Sequence, residues 1–141
     1  MEKSRVPSVK NKQTAIFVTQ FLDMTTLQQT IEKAWENREL LKEENTQQAI
    51  REVINLLDAG TLRVAQPIEG GWQVNEWVKK AVVMYFPIQK METFEVGIFE
   101  YHDKMSLKRG YAEKGIRVVP HAVARHGAYI SKGVILMPSY V

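Results

Sequence analysis

The sequence has no cysteine among its 141 residues, which excludes disulfides, thiolate-held zinc and a cysteine nucleophile. It also lacks any apolar run near the roughly 20 residues that a membrane span needs. The nearest candidate, residues 81–86, is short and follows Lys79 and Lys80. Thr19 and Gln20 interrupt the weak apolar stretch 15–22, and no small-residue cleavage site follows it. A secretory leader is therefore not expected, and a soluble, cytoplasmic protein without membrane contact is. A third absence is local: residues 115–141 contain Arg117, Arg125 and Lys132 but no acid.

What is present suits one folded unit, with room for a second small one. With 45% apolar and 25% charged residues, a chain of this length can bury roughly 68% of its unfolded surface without staples. The formal net charge of +3 is concentrated in the acid-free end, and a field of that sign favours carboxylates or phosphates. The same three cations could instead keep a sheet edge soluble. Nucleic acid is not an expected partner, because the basic residues form no dense cluster and residues 25–60 are net acidic.

Residues 1–24 show no clear period and read as a loosely ordered tail, with Met24 a possible alternative initiator. Thr26 and Gln29 form a T-x-x-Q capping box, and Leu27, Ile31, Ala34 and Trp35 recur at helical spacing, predicting a helix to about Lys42. A second helix from about Asn45 should bury Ile50, Val53, Ile54 and Leu57 and stop at Gly60. Leu62, Val64, Trp72 and Val74 around Gly70-Gly71 predict two short strands. Asn75 then caps a third helix with Trp77, Val78, Ala81, Val82 and Tyr85 on one face, ended by Pro87. The three tryptophans read as core anchors. Alternation over Phe94, Val96, Ile98 and Glu100 hints at a strand, followed by a charged, mobile connection.

The strongest pattern is a repeat. Gly115-Ile-Arg-Val-Val-Pro120 and Gly133-Val-Ile-Leu-Met-Pro138 match in residue type 18 residues apart, with a period of six inside. Ile116, Ala122, Ala128, Val134 and Tyr140 form one inward column; Val118, Ala124, Ile130 and Leu136 form another. Such hexads suit a triangular parallel β-helix, three to a coil, with coils stacked at the spacing of neighbouring strands. Pro120, Pro138 and the glycines rule out an amphipathic helix. The intervening column, Arg117, Val123, Tyr129, Ile135 and Val141, points outward yet is largely apolar, which asks for a partner surface. Closure into a trimer is natural for a three-faced prism. The hexads fill about one and a half coils, so the expected β-helix is truncated at Val141.

From Leu27 to Val141 the sequence resembles the N-terminal part of the tetrahydrodipicolinate N-succinyltransferases, acyltransferases of the hexapeptide-repeat class in lysine and diaminopimelate biosynthesis. The residues that carry the resemblance are Leu56-Leu-Asp-Ala-Gly-Thr-Leu-Arg-Val-Ala65, Trp77-Val-Lys-Lys-Ala-Val82, Asp103-Lys104, Gly115-Ile-Arg-Val-Val-Pro120 and Gly133-Val-Ile-Leu-Met-Pro-Ser-Tyr-Val141. The resemblance implies an α+β chain: a helical N-terminal domain with short strands, residues 25–114 with their connection, then the first coils of a left-handed parallel β-helix over 115–141. It implies a homotrimer with sites between subunits, and succinyl transfer from succinyl-CoA, a co-substrate and not a bound cofactor, to the amine of the ring-opened substrate. The family's substrate-binding arginine falls in the motif containing Arg117, with Arg125 the second candidate. The family's catalytic acid and pantetheine groove belong to later coils, so no catalytic residue is expected in this chain. No carboxylate occurs after Glu113. This chain alone should then be inactive. A non-catalytic fragment that docks on a β-helix partner is the alternative, and a hexapeptide acyltransferase for another amine or alcohol a third reading.

Other chemistry is thin. His121 and His126 fall on different faces of a triangular coil and do not make a metal pair. His102 beside Asp103 could orient a base but reads as a solvated strand end. Lys79 and Lys80 could reach phosphate, yet as a solvated face need no ligand. No serine or threonine sits in a nucleophile motif such as G-x-S-x-G.

Overall fold

The computed structural model describes residues 24–141; the expected tail at residues 1–24 lies outside them except for its last residue. The chain is α+β: three α-helices and a 3-10 turn, then short strands in two-stranded pairs. The first helix, α1, is already helical at residue 24 and runs to residue 36. Thr26 therefore sits inside it and is not its cap; the Thr26 carbonyl accepts a bond from Thr30 Oγ1 at 2.9 Å. The expected extension to Lys42 is broken at Asn37, whose side chain accepts from the backbone N–H of Glu39 and starts the 3-10 turn Arg38–Lys42.

Helix α2 spans Glu44–Ala59 and buries Thr46, Ile50, Val53 and Ile54. It ends where expected, because Gly60 takes the left-handed conformation at φ 75° and returns its N–H to the carbonyls of Leu56 and Leu57. Leu62 drops into the core, and strands β1 (Ala65–Ile68) and β2 (Gly71–Val74) form an antiparallel hairpin. Helix α3 spans Glu76–Ile88 and buries Trp77, Val78, Ala81, Met84 and Tyr85. Asn75 precedes it without a side-chain cap; its amide instead donates to the Arg63 carbonyl at 2.8 Å. Pro87 does not end the helix, which continues to Ile88. A proline so near the end forfeits a single hydrogen bond, and the final turn tolerates it.

One core cluster joins the three helices around Ile31, Ala34, Ile50, Val53, Val78, Ala81 and Met84, with Trp35 packed at its margin. Trp35 carries the Arg38 guanidinium 4.1 Å above its ring. Trp72 departs from the expected anchor role: it is 70% exposed. The hairpin that carries it has only two strands, and no described element lies over the face it shares with Pro67 and Val74.

A second hairpin, β3 (Glu92–Val96) with β4 (Phe99–Asp103), occupies the segment whose alternation suggested one strand. Gly97 and Ile98 form its turn, so the alternation belongs to two strands and not to one. The connection that follows is tied down: the N–H of Lys108 donates to Ala124 at 2.8 Å and that of His126 to Ser106 at 2.8 Å. In the repeat region, β5 (Arg117–Val118) pairs in parallel with β6 (Ile135–Leu136), Arg117 opposite Ile135 and Val118 opposite Leu136. The Val123 N–H donates to the Ser139 carbonyl, the Val141 N–H to the Val123 carbonyl and the Arg125 N–H to the Val141 carbonyl, which continues the pairing. Ile116 and Ala124 are buried, and Arg117, Tyr129, Ile135 and Val141 are exposed. Tyr140, expected in an inward column, is exposed at 66%, because no described layer covers it.

Candidate anion site

Arg117 stands on β5 in the exposed column, and its guanidinium makes no hydrogen bond or ion pair among the described residues. An unpaired arginine held by a backbone ladder is poised to grip a carboxylate bidentately.

Arg125 is placed differently. Its Nη2 donates to Asp103 Oδ2 at 2.9 Å, and its guanidinium lies 5.4 Å from the Tyr140 ring centroid. Its Nε is buried without a hydrogen-bond partner among the described residues. The side chain thus bridges the end of β4 to the second repeat, a contact that leaves it little to offer a ligand. Asp103 is held below the ordinary carboxylate value of 3.8, chiefly by the Lys104 backbone N–H and further by Arg125, against a smaller opposing effect of burial.

A second joint docks the repeat on the helices. Asp58, at the end of α2, accepts from Lys108 Nζ at 2.5 Å and from the Gly127 N–H at 2.8 Å. His126 Nδ1 lies 3.3 Å from the same oxygen, and its Nε2 is 3.0 Å from Asn55 Oδ1. The Lys108 side chain is 3% exposed, so this ion pair is desolvated. Burial alone would raise the Asp58 pKa, but the bonds from Lys108 and Gly127 bring it below the ordinary value. Neither partner pair was visible in the sequence, since Asp58 and Lys108 are 50 residues apart and belong to no periodic pattern.

Both depressed carboxyl groups stabilise the fold above their unfolded pKa of 3.8, and that contribution disappears as pH falls through their lower folded values. Thermal unfolding should therefore be nearly constant from neutrality to about pH 5 and fall steeply below about pH 4. Asp103→Asn should flatten that fall, as followed by circular dichroism melts across the range.

The remaining candidates are occupied or isolated. His102 Nδ1 lies 2.6 Å from Thr93 Oγ1 across the second hairpin. Lys80 pairs with Glu32 at 2.5 Å beside the Trp35 ring, whereas Lys79 and His121 are exposed. Among the described residues, no group of three or more histidines and carboxylates is placed to hold a metal ion. A cleft of about 930 Å³ opens between the start of α2, the end of α3 and β3, but Arg117 and Arg125 do not line it. No helix among the described residues is long and apolar enough to cross a membrane.

Residues 26–88 match the family model described as "Tetrahydrodipicolinate N-succinyltransferase N-terminal". Three relatives are each named 2,3,4,5-tetrahydropyridine-2,6-dicarboxylate N-succinyltransferase. The protein of Azoarcus sp. (strain BH72) is 46% identical over 128 residues, that of Legionella pneumophila (strain Paris) 42%, and that of Pseudoalteromonas translucida (strain TAC 125) 41%. Each comparison covers 84% of this chain. It covers 46% of the Legionella and Pseudoalteromonas proteins and 47% of the Azoarcus one, so the chain spans less than half the length of these relatives.

Proposed function

Because this chain is a homologue of the N-terminal part of the tetrahydrodipicolinate N-succinyltransferases, we propose that it supplies the helical domain and one side of the substrate site of such an enzyme. The substrates are tetrahydrodipicolinate, a dicarboxylate, and succinyl-CoA, with no metal and no other cofactor. The observation that carries the reading is the exposed, unpaired Arg117 on a parallel strand pair whose register equals the 18-residue sequence repeat. That register, the burial of Ile116 and Ala124 and the bonds of Val123 to Ser139 and Val141 support residues 115–141 as the opening coils of a left-handed parallel β-helix, distinct from a helical domain over 25–114. The exposed apolar groups Tyr129, Ile135 and Val141 support subunit contacts in a cytoplasmic homotrimer.

In this reading Arg117 grips one carboxylate of the ring-opened substrate and fixes its amine relative to the thioester. The neutral amine attacks the thioester carbonyl, the N–C bond forms as the C–S bond breaks, and the amine's proton passes to a base while CoA leaves as the thiolate. Arg117 binds and orients; the acid–base group and the oxyanion donors come from residues beyond this chain. Arg125, spent on Asp103, acts as a structural bridge. In a hybrid that continues these 141 residues with the later part of the Azoarcus relative, Arg117→Ala should raise the KM for the dicarboxylate about 10- to 100-fold. The KM for succinyl-CoA should not change. Steady-state kinetics with each substrate varied checks this, and an unchanged dicarboxylate KM would contradict it.

A further inference from the structure

We propose that Lys132 is the second half of the anion site and takes the carboxylate of the substrate that Arg117 does not hold; this rests on the dicarboxylate reading above. Four cations stand in or beside the repeat corner: Lys114, Arg117, Arg125 and Lys132. Two are spent. Arg125 is paired with Asp103, and Lys114, which stands 18 residues before Lys132 in the repeat, donates its Nζ to the Arg109 carbonyl at 3.0 Å. Lys132 and Arg117 have no side-chain partner among the described residues, and residues 115–141 offer no acid to either.

The backbone brings these two together. Gly133 N–H donates to the Gly115 carbonyl at 2.9 Å, stacking one corner of the repeat on the other. Gly115, at φ 65°, leaves room that the Lys132 stem fills: a Cβ built there would meet Lys132 Cγ at 2.9 Å, Cε at 3.4 Å and Cδ at 3.5 Å. The stem is thus laid across the turn that leads into β5, whose first residue, Arg117, comes two residues after Gly115. Two residues of chain span at most roughly 7 Å, comparable to the separation of the terminal carboxyl groups in a seven-carbon diacid. Two unpaired cations held at one corner of the repeat repel one another. A dianion relieves that repulsion at both centres, while a monocarboxylate relieves it at one.

The test titrates the 141-residue chain with pimelate and with hexanoate at low ionic strength, following amide shifts by NMR. Pimelate should bind about fivefold more tightly than hexanoate. Lys132→Ala should erase that preference by weakening pimelate about fivefold while sparing hexanoate, and Lys132→Arg should restore most of it. Arg117→Ala should weaken both acids. Unchanged pimelate affinity in Lys132→Ala, with Arg117→Ala still weakened, would overturn the role of Lys132 and leave the dicarboxylate reading standing. Binding that ignores Arg117, or a wild-type chain that fails to prefer pimelate, would overturn the proposal itself, and the first of these the dicarboxylate reading with it.

Discussion

Asp58→Asn should destabilise the chain by about 3 kcal/mol, because it strands the buried Lys108 ammonium without its counter-charge. Its amide oxygen can still accept from the Gly127 N–H, so the loss isolates the ion pair. For a chain of this size that corresponds to a fall in Tm of roughly 10 °C. Lys108→Met in the same background should recover much of the loss, since an apolar side chain of similar length needs no partner in a dry site. Differential scanning calorimetry on the two variants and the double variant measures this. If Asp58→Asn melted with the wild type, the repeat would not be docked through this joint.

Gly60→Ala should cost about 3 kcal/mol through two separable effects. The residue holds φ at 75° to end α2, a conformation that a Cβ disfavours. That Cβ would also come within 2.5 Å of Tyr129 Cδ2 and 2.7 Å of its Cε2, where the tyrosine ring lies against the helix end. Adding Tyr129→Ala should return the steric part and leave about 1 kcal/mol from the backbone. Equal urea midpoints for the single and double variants would show that Tyr129 does not rest on Gly60.

These two positions illustrate what a sequence reveals. Gly60 was legible as a helix stop, because a glycine just past a periodic run carries the signal in itself. Its second role, as the seat of Tyr129, was not, because nothing local links residues 69 positions apart. Ile50, Val53 and Ile54 were legible as core for the same reason as the helix they belong to, and Leu57, at the end of that face, is only partly buried. Trp72 misled: size and apolarity predict burial, but a two-stranded hairpin has no layer to bury it in. At the anion site, the resemblance put Arg117 first, with Arg125 a second candidate. Geometry parts them further, since the partner that commits Arg125 is Asp103, on a hairpin 22 residues away. Lys132 was visible as a cation of the acid-free end, but its meaning depends on which corner its stem crosses.

The account turns on this chain holding the substrate while later residues perform the transfer. The direct measurement is CoA thiol release from succinyl-CoA and a dicarboxylate amine acceptor such as L-2-aminopimelate. It compares the 141-residue chain alone with the hybrid completed by the later part of the Azoarcus relative. The account predicts no release above background from the chain alone and acceptor-dependent release from the hybrid that falls when Arg117 is removed at sub-saturating acceptor. Turnover by the chain alone, or a hybrid whose rate ignores Arg117, would contradict it.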